Sequence, residues 1–169
     1  MILLRSRTNL ISRNTEPLSP DQLYQYALRL LTGRDYAVAR IRQKLATRGG
    51  VGDDAEVVID RLQREGWLDD KRYAGRFAEA ALASGRYYGA RLRVEMRRKG
   101  FTADVVTNTL APLLAESDEV AEVRSAADRR YPGFSYSAAS DRDKRRVVGF
   151  LQRRGFGFSA IMQALRAEE

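Results

Sequence analysis

Apolar residues recur three or four positions apart along most of the chain, the spacing at which side chains share one face of an α-helix. Between the punctuating glycines and prolines this pattern predicts a series of short helices, with no alternating strand pattern of useful length. The first helix is expected to begin at Ser19, with Pro20 in its first turn and Gln22 closing a capping box, and to end at Gly33. The hydrophobic pattern therefore indicates an all-α protein.

Two more helices are expected before Gly66. The second runs through the segment YAVARIRQKLATR and ends at Gly49, which suits a left-handed C-cap. The third starts at DDAE, where Asp53 or Asp54 can cap the free N–H groups of the first turn. These three helices form the first unit of the chain.

The same pattern then returns twice, and the phrase RRKGF at 97–101 reappears as QRRGF at 152–156. The second helix of each unit carries two apolar residues four positions apart, with a glycine four positions later: Ile41, Leu45 and Gly49; Leu92, Met96 and Gly100; Val147, Leu151 and Gly155. In the last two copies a phenylalanine follows the glycine, and we expect it to fold back as the apolar contact of a Schellman-type turn. The first copy lacks that phenylalanine and carries the insertion GVG at 50–52.

This repeat predicts tandem three-helix repeats, about nine helices in an elongated curved array, because a unit of about fifty residues buries its apolar faces only by stacking. The predicted organisation is a flexible N-terminal arm at 1–18, then repeats at 19–66, 67–114 and 115–169. Four further expectations concern the boundaries: Trp67 is a plug between units, Asp70 and Ser117 are helix caps, and Pro112 ends or kinks its helix.

Composition excludes several classes of chemistry. The chain has no Cys and no His, so disulfides, thiolate metal sites, cysteine nucleophiles and imidazole-based triads are absent. No apolar run approaches the ~20 residues of a membrane span, and the start MILLRSRTNL is not a secretory signal, so a cytoplasmic location is expected. No phosphate-cradling loop motif occurs, and the expectation is a protein that is not an enzyme and uses no cofactor.

Charge supplies the candidate site. The formal net charge is +8 with a sequence pI near 10.1, and all the basic residues except Lys44, Lys71, Lys99 and Lys144 are arginine. The predicted binding residues lie on the second helix of every unit: Arg40, Lys44 and Arg48; Arg91, Arg93, Arg97, Arg98 and Lys99; Arg145, Arg146, Arg153 and Arg154. The helix dipole explains cations in a last turn but not Arg91, Arg93, Arg145 or Arg146. A basic ridge repeated in this way suits a nucleic-acid backbone or an acidic protein groove.

Other polar and aromatic pairs have simpler explanations. Asp53–Asp54 and Asp69–Asp70 precede helices, so helix capping is favoured over a metal site, which would need further ligands. Tyr87–Tyr88 could stack on bases, but tyrosines at the start of a helix more often pack half-buried. The strongest contact with a partner is expected in 69–114, because this segment contains nine basic and five acidic residues.

Four segments together resemble the RecX family of bacterial regulatory proteins: ALRLLTGRDYAVARIRQKLATRG, LQREGWLDDKRYA, GARLRVEMRRKGF and FLQRRGF. The resemblance covers about 21–166 and is most specific at GWLDDKRYA. It implies tandem three-helix repeats and a regulator of recombination, DNA repair and the SOS response. Such a protein binds the RecA recombinase or its filament on single-stranded DNA and inhibits ATP hydrolysis, strand exchange and co-protease activity.

On this resemblance the partners are the RecA filament and, as a further partner, single-stranded DNA; no membrane is involved, and a monomer is expected. The family pattern assigns no individual binding residue, so the basic residues above rest on charge alone. The alternative is a basic DNA-binding protein of the helix-turn-helix type. The basic ridges carry few Asn or Gln residues, and this disfavours sequence-specific base readout.

Overall fold

A computed structural model describes residues 18–50 and 52–167, and within these ranges the chain forms nine α-helices and no strand. Their bounds are α1 (Pro20–Gly33), α2 (Val38–Ala46), α3 (Asp53–Arg64), α4 (Asp70–Ala83), α5 (Gly89–Lys99), α6 (Ala103–Ala115), α7 (Glu119–Arg130), α8 (Asp141–Arg154) and α9 (Phe158–Arg166). The predicted all-α class with tandem three-helix units is confirmed. Apart from Leu18, the predicted N-terminal arm lies outside the described residues. No helix in the described ranges is long and apolar enough to cross a membrane.

Three hydrophobic cores follow one another along the chain, one in each helix trio: unit one (α1–α3), unit two (α4–α6) and unit three (α7–α9). Each trio packs mainly within itself. The neighbours nevertheless contribute buried side chains: Leu68 completes the core of unit one, Ala37 that of unit two and Tyr88 that of unit three. Burial is therefore shared between units, as small repeats require.

The units meet through the same joint twice. In the second joint, the start of α5 packs on the turn that ends α8: the Tyr88 N–H donates to the Arg154 carbonyl at 2.8 Å. The Tyr88 ring stacks on Phe156 with centroids 4.9 Å apart. In the first joint, the start of α2 approaches the turn that ends α5 so closely that a Cβ on Gly100 would lie 3.6 Å from the Cβ of Ala37.

A side chain from unit two caps a helix of unit one. Ala37 precedes α2 and offers no side-chain acceptor, and Asp70 Oδ1 accepts the Val38 N–H at 2.9 Å instead. Burial raises the pKa of the Asp70 carboxyl, while the hydrogen bond from Val38 opposes the rise. The expectation that Asp70 caps its own helix is wrong, because Asp69 accepts the Arg72 N–H there.

The turns that close α5 and α8 agree with the sequence expectation, but α2 ends earlier, with Thr47 as its C-cap, so the expectation that Gly49 caps it is wrong. Gly100 and Gly155 are both left-handed at φ 103°, and the following Phe101 and Phe156 are buried. In unit one Gly49 is also left-handed, but Gly50 replaces the phenylalanine, and a Cβ there would lie 2.8 Å from a methyl carbon of Leu23.

Other helix ends give mixed outcomes. The Ser19–Gln22 capping box is confirmed, with the Ser19 N–H donating to Gln22 Oε1 at 2.9 Å. The cap expected at Asp53 or Asp54 is wrong: Gly52 precedes α3 and both aspartates lie in its first turn, without a side-chain cap hydrogen bond. At α7 the cap is Asp118 rather than Ser117, since its carboxylate reaches two N–H groups of the first turn.

The expectations for Trp67 and Pro112 have different outcomes. Trp67 is 45% exposed and is not a plug, because the chain reverses at Gly66 and turns Leu68 into the core instead. Pro112 lies inside α6, which continues to Ala115, so it does not end the helix, and the alternative that it kinks the helix stays a prediction.

Unit one holds a hydrogen-bond network around Glu65. The Tyr24 hydroxyl donates to Glu65 Oε2, and Arg61 Nε donates to Oε1 at 3.0 Å. The hydrogen bond from Tyr24 and then that from Arg61 lower the pKa of the Glu65 carboxyl. These contacts tie α1 to the end of α3.

Candidate functional site

A groove of about 480 Å³ runs along the joint between units one and two. We call it the first joint groove; its cations and aromatic rings are Arg34, Arg40, Lys44, Lys99, Tyr26, Tyr36 and Tyr73. The one carboxylate in its lining, Asp35, is paired with Arg76 at 2.9 Å. The groove is therefore cationic, with aromatic walls.

Its charges are held over rings. Arg34 Cζ lies 4.6 Å and Lys44 Nζ 5.4 Å from the centroid of Tyr36. Lys99 Nζ lies 4.7 Å from the Phe77 centroid. Arg48 does not itself line the groove, but its Cζ lies 5.0 Å from the centroid of Tyr26, which does. Cation–π attraction restricts these long side chains, so the groove presents charges whose positions are already limited before a ligand arrives.

Several predicted site residues have structural roles instead. Arg40 Nη2 donates to the Arg98 carbonyl at 2.5 Å and so links units one and two. Arg97 Nη1 donates to the Phe101 carbonyl at 3.0 Å, which closes the turn after its own helix. A guanidinium bound to a carbonyl keeps its charge but has fewer donors left for a partner.

Glu95 forms ion pairs with two arginines of the predicted basic ridge, Arg91 and Arg98. Its Oε1 lies 2.6 Å from Arg91 Nη2 and 3.1 Å from Arg98 Nη1. The Arg91 Nε is buried and has no hydrogen-bond partner in the described part of the chain. Together Arg91, Arg98 and Glu95 carry one net positive charge. Arg91 and Arg98 are therefore weaker candidates for binding a partner than two free arginines would be.

The second joint brings Arg154, a predicted site residue, together with three arginines that sequence reasoning missed. Arg129 Nη1 donates to the Ala83 carbonyl at 3.1 Å, and Arg154 Nη1 donates to the Gly85 carbonyl. Burial and then the neighbouring Arg129, Arg86 and Arg130 lower the pKa of Arg154. We call Arg86, Arg129, Arg130 and Arg154 the second joint cluster. Three of them lie outside the second helices, at the α4–α5 turn and the end of α7, so no repeated pattern marked them.

The remaining predicted binding residues are exposed to solvent. Arg93, Arg145, Arg146 and Arg153 make no ion pair within the described ranges, and Arg146 Cζ lies 5.2 Å from the Tyr131 centroid. Tyr88 is buried at 7% exposure and stacks on Phe156, so base stacking by Tyr88 is excluded. Tyr87 is half-buried beside Arg86, whose Cζ is 5.3 Å from its ring centroid.

Two family models match this chain, one in its N-terminal part and one in its C-terminal part. A family model described as "RecX, first three-helix domain" matches residues 24–62, and one described as "RecX, third three-helix domain" matches 117–165. A regulatory protein RecX of Trichlorobacter lovleyi is 43% identical over 144 residues, covering 85% of this chain and 94% of the relative. One from a strain of Thermus thermophilus is 36% identical over 142 residues, with coverages of 83% and 88%.

Solved structures support the fold. The crystal structure of RecX from Lactobacillus salivarius aligns with a TM-score of 0.71 at 19% identity, covering 88% of this chain and 95% of that one. A second crystal structure, of a regulatory protein RecX, aligns with a TM-score of 0.66 at 18% identity, covering 89% and 72%. At these identities the likeness establishes the arrangement of helices.

Proposed function

The chain belongs to the RecX family of regulatory proteins, and on that premise we propose that it binds RecA or the RecA–single-stranded DNA filament. The proposed consequence is inhibition of the ATP hydrolysis, strand exchange and co-protease activity of the recombinase. The structural observation that carries the binding proposal is the repetition of one cationic joint at two places along the chain.

The two joints share two cationic positions, whereas the other cations of each joint have no cationic counterpart. Arg40 in the first corresponds to Arg91 in the second at a shift of 51 residues, and Lys99 corresponds to Arg154 at a shift of 55. A protein with cationic sites repeated along its length suits a partner whose anionic sites also repeat, as in a helical filament. Linked contacts of this kind raise the overall affinity without requiring strong binding at either site.

The charges predict how the interaction responds to salt. Most of the free cations are exposed, so added salt screens them over about 8 Å at physiological ionic strength. We infer that the recombinase and single-stranded DNA both contact these cations. We further infer that the protein acts as a monomer and works in the cytoplasm, beside its partner.

The helix-turn-helix alternative is disfavoured by the joints. A recognition helix contacts base edges with its N-terminal residues. The starts of α2 and α5 are instead packed on the turns of the following units. The starts of α2 and α5 are therefore poorly suited to a DNA groove. The start of α8 presents no such obstacle, because Arg142 and Lys144 alternate there with Asp141 and Asp143.

The test is single-stranded-DNA-dependent ATP hydrolysis by the cognate RecA, titrated with this protein at fixed salt. Inhibition well below one molecule per recombinase subunit is expected if the protein caps or destabilises filaments. Tight binding to bare DNA without any effect on hydrolysis contradicts the proposal and favours a general DNA-binding repeat protein.

A further inference from the structure

A cleft of about 380 Å³ lies on the outer surface of unit three, between α8 and α9. Its apolar part is formed by Val148, Gly149, Phe158 and Met162. Phe158 is 59% exposed, and neither Phe158 nor Met162 takes part in the hydrophobic core of unit three. Large apolar side chains left outside a core in a concave surface are typical of an interaction site.

Comparison between repeats shows that packing does not require this apolar surface. At a shift of 55 residues, Val148 and Met162 of unit three correspond to Arg93 and Thr107 of unit two, which are exposed. Phe158 corresponds to Ala103 in the same way. Unit two thus builds the same fold with polar or small residues at these three positions, although Val94, the counterpart of Gly149, is itself 44% exposed. Of units two and three, only unit three combines a valine, a phenylalanine and a methionine on this surface.

The rim of the cleft is cationic. Lys144, Arg145 and Arg166 line it, and no carboxylate does. Lys144 Nζ and Arg166 Cζ lie 5.0 Å and 5.8 Å from the centroid of Tyr136, so both charges are positioned at the edge of the cleft. An occupant must combine an apolar group with negative charge around it.

From this combination we propose that the α8–α9 cleft binds an acidic protein segment, which inserts one apolar side chain between Phe158 and Met162. A second copy of this chain fits poorly, because its net charge is +8. A nucleic acid is also less suitable: Tyr136 already interacts with two cations, so among the described residues of the cleft Phe158 is the one ring left for a base, whereas single strands stack successive bases on several rings. This inference rests on the proposed function, with the acidic segment belonging to the recombinase.

Gly149 allows the cleft to be filled from its own floor. It lies inside α8, and a Cβ placed there would meet only the flexible end of Arg153, at 3.2 Å. Leucine is a better helix former than glycine, so Gly149→Leu should keep the helix while occupying the cleft. Gly149→Ala is the matched control, because it makes the same backbone change and leaves most of the cleft open.

The experiment measures the affinity of fluorescently labelled protein for the cognate RecA–single-stranded DNA filament, and separately for single-stranded DNA alone. Gly149→Leu is expected to weaken filament binding roughly tenfold or more, as loss of a central apolar contact does, with Gly149→Ala within about twofold of the parent. Binding to DNA alone should not change.

Three results would overturn the inference. Equal filament affinity of Gly149→Leu and the parent shows that the cleft is not used. An equal loss of affinity for bare DNA identifies a nucleic acid as the occupant. A parent dimer that Gly149→Leu converts to a monomer in sedimentation identifies a second copy. If the parent itself does not bind the filament, the proposed function fails instead.

Discussion

Alanine substitution at Gly155 and Gly100 should separate the strain of a left-handed residue from the tightness of a joint between units. Both glycines have φ 103°, and both end the second helix of their unit. At Gly100 a Cβ would meet Arg40 Cγ at 3.3 Å, a contact that a side chain can relieve. At Gly155 it would overlap the Tyr88 carbonyl oxygen and lie 2.6 Å from Arg91 Cβ and 3.0 Å from its backbone nitrogen.

The shared term is the left-handed conformation of a residue with a Cβ, about 1–2 kcal/mol. Gly155→Ala additionally pushes α5 away from the turn. The displacement weakens the hydrogen bond from the Tyr88 N–H to the Arg154 carbonyl, worth about 0.5–1.5 kcal/mol. It also weakens the stacking of Tyr88 on Phe156, worth about 0.5–1.5 kcal/mol. We expect Gly100→Ala to cost about 1–2 kcal/mol and Gly155→Ala about 2–5 kcal/mol.

Urea unfolding monitored by circular dichroism gives the two free energies of unfolding. Repeat proteins can unfold unit by unit, so amide hydrogen exchange at Tyr88 is needed as a local measurement of the second joint. Faster exchange at Tyr88 in Gly155→Ala, but not in Gly100→Ala, is the expected signature. Equal destabilisation by the two substitutions, with unchanged exchange at Tyr88, would refute the view that Gly155 is required by the close approach of unit two.

Three further predictions test other contacts. Asp70→Ala removes the acceptor for the Val38 N–H and should lower the free energy of unfolding, measured in urea, by about 0.5–2 kcal/mol. Asp70→Asn keeps an oxygen acceptor and should lower it less. A larger loss in Asp70→Asn than in Asp70→Ala would contradict the cap between units. Because the folded-state pKa of Glu65 is below its ordinary 4.5, its stabilisation is present above that pH and is lost as the pH falls through the lowered value. Unfolding measured from about pH 6 to pH 3 should therefore show a shallower acid loss in Glu65→Gln, and an unchanged profile would exclude this contribution. Arg93→Glu should raise the concentration of protein needed for half-inhibition of RecA ATP hydrolysis roughly two- to tenfold. Arg64→Glu makes the same charge change at an exposed position of unit one and serves as the control. Equal inhibition by the two variants would show that the contact does not lie on α5.

The helices and their grouping could be predicted because their signals are local. The capping box at Ser19 and the glycine turns at Gly100 and Gly155 are set by residues a few positions apart, and the structure retains them. The cap of α2 could not be predicted, because Asp70 lies 32 residues beyond Val38 in the chain. A repeat shows which positions are equivalent within units, but it does not show which surfaces of neighbouring units meet.

The candidate site shows the same limit in a different form. A count of cations treats Arg40 and Arg93 as equals, although one donates to the Arg98 carbonyl across a joint and the other is exposed. Arg129 was overlooked because it ends a first helix, and only packing brings it to the carbonyl of Ala83. Whether a guanidinium is free to bind depends on the carbonyls and carboxylates around it, and these are placed by tertiary structure.

The repeated RRKGF and QRRGF phrases have a second role beyond ending helices, and unit one supports it. In the second joint the Arg154 carbonyl, one residue before the glycine, accepts the N–H of Tyr88 from the preceding unit. The equivalent carbonyl in unit one, that of Arg48, accepts the N–H of Leu18 at 3.3 Å, from the segment just before α1. No described unit packs on that turn, and there Gly50 replaces the phenylalanine while Leu23 fills the space. The phenylalanine therefore accompanies the turns that receive a preceding unit, which indicates that it is retained for the joint as well as for the helix end.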